Sequence, residues 1–286
     1  MSARVSKDLE RQRRASREER GTGQAETYTP WIQIRRHDFP SMGRSHFQPS
    51  AFMNRHVEVL SDLELSVYLH LQLLCPIDVR EQFPLSAKSI EPEFERAYPN
   101  AQGSYDVAKK LGVRHPMFTR LESRAMSTDF LVTLRAGEKV AVHVKYEADL
   151  AVLRNVELRN IEAEYWRQRG VQFQVLTEAS INRTQLGNLH MLNSFRRVNV
   201  LNVRELWLKQ LIGLASFLPM NEVIARMHLE LGVLPSVLAD RVKFAVATGL
   251  VEMDLKASRL MWTVQWPPMA LASWAATALQ GLETSP

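Results

Sequence analysis

Apolar positions along this chain change period several times, and each change marks an element. The run 60–69 carries its apolar residues at helical spacing and predicts an amphipathic helix. Strict alternation over 77–85 predicts a strand. Two shorter strands follow at 130–134 and 140–144, joined by a turn at 135–138 where Gly137 is free to take a positive φ. The stretch 149–169 reads as a helix turning Leu150, Leu153, Leu158 and Ile161 inward. Gly170 ends it, and 171–176 is the next strand. Strand, helix and strand in succession give a right-handed crossover, hence a mixed α/β sheet. Folding the hairpin about Gly137 sets Leu131 opposite His143 and Asp129 opposite Lys145. Strand side chains alternate, so Asp129, His143 and Lys145 share one face while Val140, Val142 and Val144 point into a core.

The ends differ in texture. Residues 1–26 are rich in Arg, Glu, Ser and Gln with almost no apolar anchor, which predicts a flexible basic arm. Towards the other end, 221–231 reads as a helix, Gly232 as a turn, and Pro235 as the opening of a second helix over 236–248, closed by Gly249. Strands at 250–255 and 260–264 about a bend at 256–259 complete a winged-helix pattern. Its second helix offers only Arg241 and Lys243 as basic residues, against Asp240, too few for a helix that reads bases. Docking to a protein, with auxiliary DNA contact, suits it better. The apolar tail 266–282, with Trp274, is suited to packing on this domain or a partner. The expected organisation is an arm (1–26), an α/β domain (27–181) and a winged-helix-like domain (182–286).

Composition narrows the possibilities. The 286 residues are 45% hydrophobic, enough for real cores, and the single cysteine, Cys75, excludes both an internal disulfide and a cysteine-based zinc site. No apolar run approaches eighteen residues and no leader pattern opens the chain, so a soluble cytoplasmic protein is expected. The net charge of +5 is uneven: residues 1–20 carry +3, residues 182–286 carry +3, and the stretch between is −1. A central domain without basic surplus has little general grip on nucleic acid, because such grip comes from phosphate neutralisation. His37, His46, His56 and His70 lack metal-ligand spacing, and no nucleophile elbow or phosphate-binding glycine loop is present.

The candidate chemistry lies in the hairpin. A carboxylate (Asp129) and an ammonium (Lys145) side by side suit metal-assisted phosphodiester hydrolysis, the first holding a divalent cation and the second steadying the phosphate or attacking water. A cross-strand ion pair explains the same residues without chemistry. Glu64 adds a second carboxylate on the helix before the first strand. There, too, a structural role exists: Ser61 and Glu64 form a capping box with Leu60 and Leu65 as its hydrophobic staple.

A helix bearing Glu, then a strand, then an Asp…Lys hairpin is the order of the PD-(D/E)XK nuclease core. The chain resembles, more narrowly, the TnsA-type endonucleases of heteromeric cut-and-paste DNA transposons. The resemblance is carried by 28–31 (Tyr-Thr-Pro-Trp), 43–46 (Gly-Arg-Ser-His), 60–65 (Leu-Ser-Asp-Leu-Glu-Leu), 80–85 (Arg-Glu-Gln-Phe-Pro-Leu), 126–132 (Met-Ser-Thr-Asp-Phe-Leu-Val) and Glu162 through Tyr165 and Trp166. It runs from about 21 to 182 and is fainter beyond. It implies a restriction-endonuclease-like fold, with Glu64, Asp129 and Lys145 as the catalytic positions. His143 stands where the broader class carries Asp or Glu and the TnsA type tends to carry Gln. Glu162 falls on the next helix, where it would support the site. The implied metal set is Glu64, Asp129 and His143, holding one or two Mg²⁺ ions, with Mn²⁺ as a substitute that imidazole favours. The implied activity is hydrolysis of the 5′ strand at transposon ends. The implied partners are transposon-end DNA, a TnsB-type DDE transposase of the retroviral-integrase type, and a TnsC-type AAA+ ATPase. A general repair or restriction nuclease, or an adaptor that keeps the fold without the chemistry, would satisfy much of the same sequence.

Overall fold

The computed structural model describes residues 3–34, 44–50, 52–86, 92–194 and 205–275. The chain divides into two compact units, one of 1–67 with 76–180 and the other of 68–75 with 181–286. In chain order the first unit contains α1 (Ala3–Arg17), the hairpin β1 (His46–Pro49) and β2 (His56–Val59), and the start of α2 (Asp62–Gln72). There follow β3 (Asp78–Pro84), α3 (Pro92–Ala97), α4 (Ser104–Leu111), β4 (Ser127–Thr133), β5 (Lys139–Val144), α5 (Leu153–Arg167) and β6 (Gln172–Leu176).

Strands β3 to β6 form one sheet in sequence order. The first three pair antiparallel and β6 joins β5 in parallel, with α5 as the crossover. This is a mixed sheet, as expected. Helix α5 packs on it through Ile161, Glu162, Tyr165 and Trp166, all at most 2% exposed. That stripe differs from the one predicted: Leu153 is 75% exposed, and a glutamate takes a place on the inward face. Trp166 meets Phe83 at 5.7 Å and Phe94 at 6.1 Å between ring centroids, at the centre of a cluster with Tyr28, Leu131 and Ala141. Burial of each such large apolar side chain stabilises by roughly 1.5–3 kcal/mol. Gly170, at φ 62°, closes the turn out of α5, where an added Cβ would lie 2.3 Å from the Tyr98 hydroxyl.

The N-terminal segment is not a free arm in its described part. It forms α1, with Leu9 and Ala15 buried at 6% and 3% exposure. These two small anchors are supplemented by Gln12, whose side-chain amide bonds the backbone of Ser123 and Ala125.

The second unit holds α6 (Arg183–Leu192), α7 (Glu205–Ala215), α8 (Met220–Leu231), α9 (Pro235–Ala247) and a ribbon of β7 (Val251–Met253) with β8 (Met269–Leu271). The two helices read from 221–231 and 236–248 are α8 and α9. The strand predicted at 260–264 is not formed; β7 pairs with β8 instead, Val251 opposite Leu271. The reason is competition for backbone groups. Buried Asn188 donates to the carbonyls of Leu255 and Ser258 and accepts from the Leu260 N–H. The carbonyls of Trp262 and Val264 accept from Asn221 and Met220, satisfying the orphan donors at the start of α8. His37 and the tail beyond residue 275 lie outside the described residues. Among those described, no helix is long and apolar enough to cross a membrane.

Candidate active site

The hairpin closes more tightly than the sequence suggests. Leu134 N–H donates to Glu138 O at 2.8 Å and Gly137 N–H to Leu134 O at 2.9 Å, with Gly137 at φ 86°. The ladder runs from Thr133 opposite Lys139 to Phe130 opposite Val142. Continued by one step it faces Asp129 to His143, not to Lys145. The shift is two residues, so every side chain keeps its predicted face.

Asp129 sits where the sheet opens on both sides. Towards β5 the pairing stops at Phe130, and Asp129 Oδ2 accepts the Val144 N–H at 2.6 Å in place of a strand carbonyl. Towards β3, Gln82 opposite Asp129 drops out of the ladder with φ 50°, a left-handed conformation uncommon for a residue with a side chain. The strained position turns the Gln82 amide to use: Nε2 donates to Glu64 Oε2 at 3.3 Å and Oε1 accepts from Ser127 Oγ at 3.2 Å. Ser127 is thus structural.

Glu64 enters from the first turn of α2. Its N–H donates to Ser61 Oγ at 3.1 Å, the expected cap. Its carboxylate reaches back to the Leu60 N–H at 2.9 Å, one residue beyond the usual capping-box partner. The carboxylate is thereby drawn in towards Gln82, and its residue is 9% exposed. Burial, and then the charge of Asp129, push Glu64 up to about 8, against the opposing bonds from Leu60, Ser61 and Gln82. Asp129 is pushed up to about 6, by burial first. His143, the Val144 N–H and Lys145 pull it down, while Glu162 adds to the rise. Two carboxylates both held above their ordinary range, one of them by the charge of the other, are the complement of a cation.

Behind Asp129 lies a chain of buried polar groups that the sequence did not reveal as a unit. Trp166 Nε1–H donates to Thr128 Oγ1 at 2.6 Å, and the Thr128 hydroxyl donates to Glu162 Oε1 at 2.8 Å. Glu162 Oε2 lies 2.9 Å from His143 Nδ1, which is 3.8 Å from Asp129 Oδ2. Burial would lower His143, but the hydrogen bond and charge of Glu162 with the charge of Asp129 outweigh it and hold the imidazole above its ordinary value, Lys145 opposing. The only hint in the sequence was a threonine beside Asp129 and a Glu-x-x-x-Trp pair at helical spacing.

Lys145 follows the last residue of β5, and its N–H donates to Leu176 O at 3.1 Å, extending the pairing with β6. Its side chain is half-buried and its charge acts on both Asp129 and His143. Glu64, Asp129, His143, Lys145 and Glu162 are therefore all brought to one end of the sheet. His46, by contrast, is engaged with Asp62 at 2.6 Å.

The three-member metal set does not assemble. Among the described residues no group of three or more His, Cys, Asp or Glu is arranged to hold a metal ion. His143 turns Nδ1 to Glu162, which leaves Nε2 as its other ring nitrogen. The Glu64 and Asp129 carboxylates are the hard oxygen donors at this end of the sheet, the donor type that a divalent cation such as Mg²⁺ takes together with backbone oxygen and water.

Residues 77–178, from the first core strand to the end of the last, match the profile of the TnsA-like endonuclease N-terminal family. Over this stretch the chain is similar to TnsA-like endonuclease N-terminal domains. Asp129, His143, Lys145 and Glu162 fall inside the matched stretch, and Glu64 precedes it. Across 190 residues the chain is 34% identical to the Tn7 transposition protein TnsA of Escherichia coli, over 65% of this chain and 63% of that protein. It thus spans less than two thirds of the length of this curated relative of TnsA type.

Proposed function

We propose that the protein is a metal-dependent DNA endonuclease that hydrolyses the 5′ strand at each transposon end during cut-and-paste transposition. The observation that carries the reading is that Glu64 and Asp129 are both held above the ordinary carboxylate range, Glu64 by burial and the charge of Asp129, with the Lys145 charge acting on Asp129 in a TnsA-like domain. Glu64 and Asp129 hold one or two Mg²⁺ ions, for which Mn²⁺ substitutes. Such an ion supplies a Lewis acid and an acidified water for in-line attack on phosphorus.

The chain's own groups do the rest. The Val144 N–H fixes Oδ2 of Asp129, so that Oδ1 is the oxygen left to face the substrate side. Gln82 and Leu60 fix Glu64. Lys145 offsets the charge that builds on the phosphate in the transition state. His143, held by Glu162, steadies Asp129 from behind without binding metal. A TnsB-type DDE transposase cuts and joins the 3′ ends, and a TnsC-type AAA+ ATPase regulates the assembly. The second unit, read as winged-helix-like from α8, α9 and the β7–β8 ribbon, serves protein docking.

The test is strand-specific cleavage of labelled transposon-end DNA, with wild type and Asp129→Ala, each partner present or omitted. The expected result is 5′ nicking by wild type with the transposase and none by the variant, 3′ events continuing in both. Full double-strand excision by Asp129→Ala would leave the chain an adaptor, and cutting of arbitrary duplex by the chain alone would make it a general nuclease.

A further inference from the structure

Between α4 and β4 the chain makes a small finger that none of the chemistry above uses. Met117 and Ser123 pair as an isolated bridge, Phe118 N–H donates to Glu122 O at 2.9 Å, and Arg124 N–H to Pro116 O at 2.9 Å. Thr119 Oγ1 accepts from both Leu121 and Glu122 N–H groups, fixing the tip. The base is held from outside. Gln12 of α1 donates from Nε2 to Ser123 O at 2.9 Å and accepts at Oε1 from Ala125 N–H at 2.7 Å, as a neighbouring strand would. Arg13 adds an ion pair to Glu122. This explains why a basic N-terminal segment of poor apolar content is ordered as a helix.

The finger presents an unusual surface. Leu121 at its tip is 94% exposed, and Arg114, Arg120 and Arg124 of the same segment are exposed. Many guanidinium groups of this unit are tied to carboxylates: Arg11 to Asp8, Arg17 to Glu10, Arg55 to Glu81, Arg154 to Glu157. Among the described residues, Arg114 and Arg120 form no such ion pair, and Arg124 only lies over the Phe118 ring at 5.9 Å. The finger's one acid, Glu122, is neutralised by Arg13. Three unneutralised arginines on a rigid loop, in a stretch of chain with no basic surplus, form a local anion site. An exposed apolar side chain at the tip of a segment that carries these arginines suits a groove floor of sugars and base edges.

The location fixes the partner. Ala125 is four residues from Asp129, so the base of the finger lies within about 13 Å of the candidate metal carboxylate along extended chain. That is about four nucleotides of one strand at roughly 3.4 Å each. We propose that residues 114–124 are a DNA-gripping finger: Arg114, Arg120 and Arg124 contact phosphates of the duplex flanking the cut, and Leu121 lies in the adjacent minor groove. This rests on the reading of the chain as a DNA nuclease. Three phosphate contacts place a duplex against the site; they are too few to capture it from solution at physiological salt.

The experiment measures binding of the full chain to a fluorescein-labelled duplex of arbitrary sequence by anisotropy across a low-salt series, with thermal midpoints as a fold control. Asp129→Ala is run alongside, as are Arg114→Ala/Arg120→Ala/Arg124→Ala and Leu121→Ser. Each phosphate contact contributes roughly 0.9 to the slope of log K against log salt, so the triple variant should lose about 2.7 of slope and roughly tenfold or more in affinity. Leu121→Ser should weaken binding with the slope unchanged. Failure of wild type to bind at low salt, or an unchanged slope in the triple variant at an unchanged midpoint, overturns the proposal. Normal wild-type binding lost in the triple variant, in a chain that cuts no transposon end with any partner, would uphold the finger and sink the assigned reaction.

Discussion

His143 Nδ1 lies 2.9 Å from Glu162 Oε2 and 3.8 Å from Asp129 Oδ2, so the imidazole bridges the buried acid of α5 and the exposed-side acid of β4. A histidine at a position where the resemblance implies a neutral amide acts here as a prop hydrogen-bonded to Glu162. The amide in His143→Gln can still donate to Glu162, whereas His143→Ala leaves a buried carboxylate oxygen without its donor. We expect His143→Gln to keep 5′ cleavage within about tenfold, and His143→Ala to lose roughly 1–3 kcal/mol of stability. Titrations with Mg²⁺ and Mn²⁺ should give similar midpoints for wild type and His143→Gln. A large rise in the metal requirement of His143→Gln would restore the imidazole as a ligand.

Thr128 is the link between Trp166 and Glu162. Thr128→Val conserves shape but strands a buried indole N–H and one carboxylate oxygen, at a cost of roughly 1–3 kcal/mol. Urea denaturation should show that loss. Thr128→Ser keeps the hydroxyl and should recover most of it, together with the cleavage rate.

Glu64 separates capping from chemistry. Gln at this position can still accept the Leu60 N–H, so Glu64→Gln should stay folded while 5′ cleavage falls at least about a hundredfold, since a neutral amide cannot replace a metal-holding carboxylate. Normal excision by Glu64→Gln would reduce the residue to a cap.

The same raised carboxylates set a pH dependence. Glu64 is raised to about 8 and Asp129 to about 6, so between their ordinary values and these the native state binds more protons than the unfolded chain. Stability without divalent metal must then fall as pH rises from about 4 to about 8. His143, raised above its ordinary value, contributes stability at low pH that is lost as pH rises through its folded value, in the same direction. Thermal midpoints in a chelator should therefore decline towards pH 8. Glu64→Gln should flatten the decline and melt higher than wild type at pH 8, about 1 kcal/mol appearing as roughly 2–4 °C. Added Mg²⁺ should raise the wild-type midpoint more at pH 8 than at pH 6. A wild-type midpoint flat across this range would show that the two acids do not hold their raised proton affinity in solution.

Much of this site was legible because period-2 alternation fixes faces, and faces survive an even register error. Asp129, His143 and Lys145 were therefore placed on one side although the pairing was off by two. What the sequence hid were partners set by tertiary contact. The resemblance pointed to Glu162 as a supporting residue, but that it does so through Thr128 and His143 shows only in the tertiary contacts. The strand expected at 260–264 had the right residues, yet Asn188 and the start of α8 claimed its backbone groups. The N-terminal helix was hidden for the same reason: its anchor is the Gln12 amide, 111 residues away from Ser123 in sequence.

The last prediction concerns partner dependence. The central stretch of the chain carries no basic surplus, and the finger supplies only a local hold, so the isolated chain should not cut transposon ends specifically at physiological salt. Truncation near residue 182 is a poor test of docking. Residues 68–75, which include the second half of α2, belong to the same compact unit as 181–286. His70 bonds Gln185 at 3.1 Å and Gln72 bonds Asn193 at 2.9 Å, so a truncated chain would strip partners from the helix that begins beside Glu64. Surface changes avoid this. Leu229 at the end of α8 is 82% exposed and Leu234 after the turn is 64% exposed, both free of core duty. Leu229→Glu with Leu234→Glu should keep the thermal midpoint and the low-salt DNA binding of wild type, yet reduce 5′ nicking with the transposase and ATPase by about tenfold or more. Wild-type nicking by this double variant would move the docking surface elsewhere, and strong end-specific cutting by the chain alone would remove the need for one.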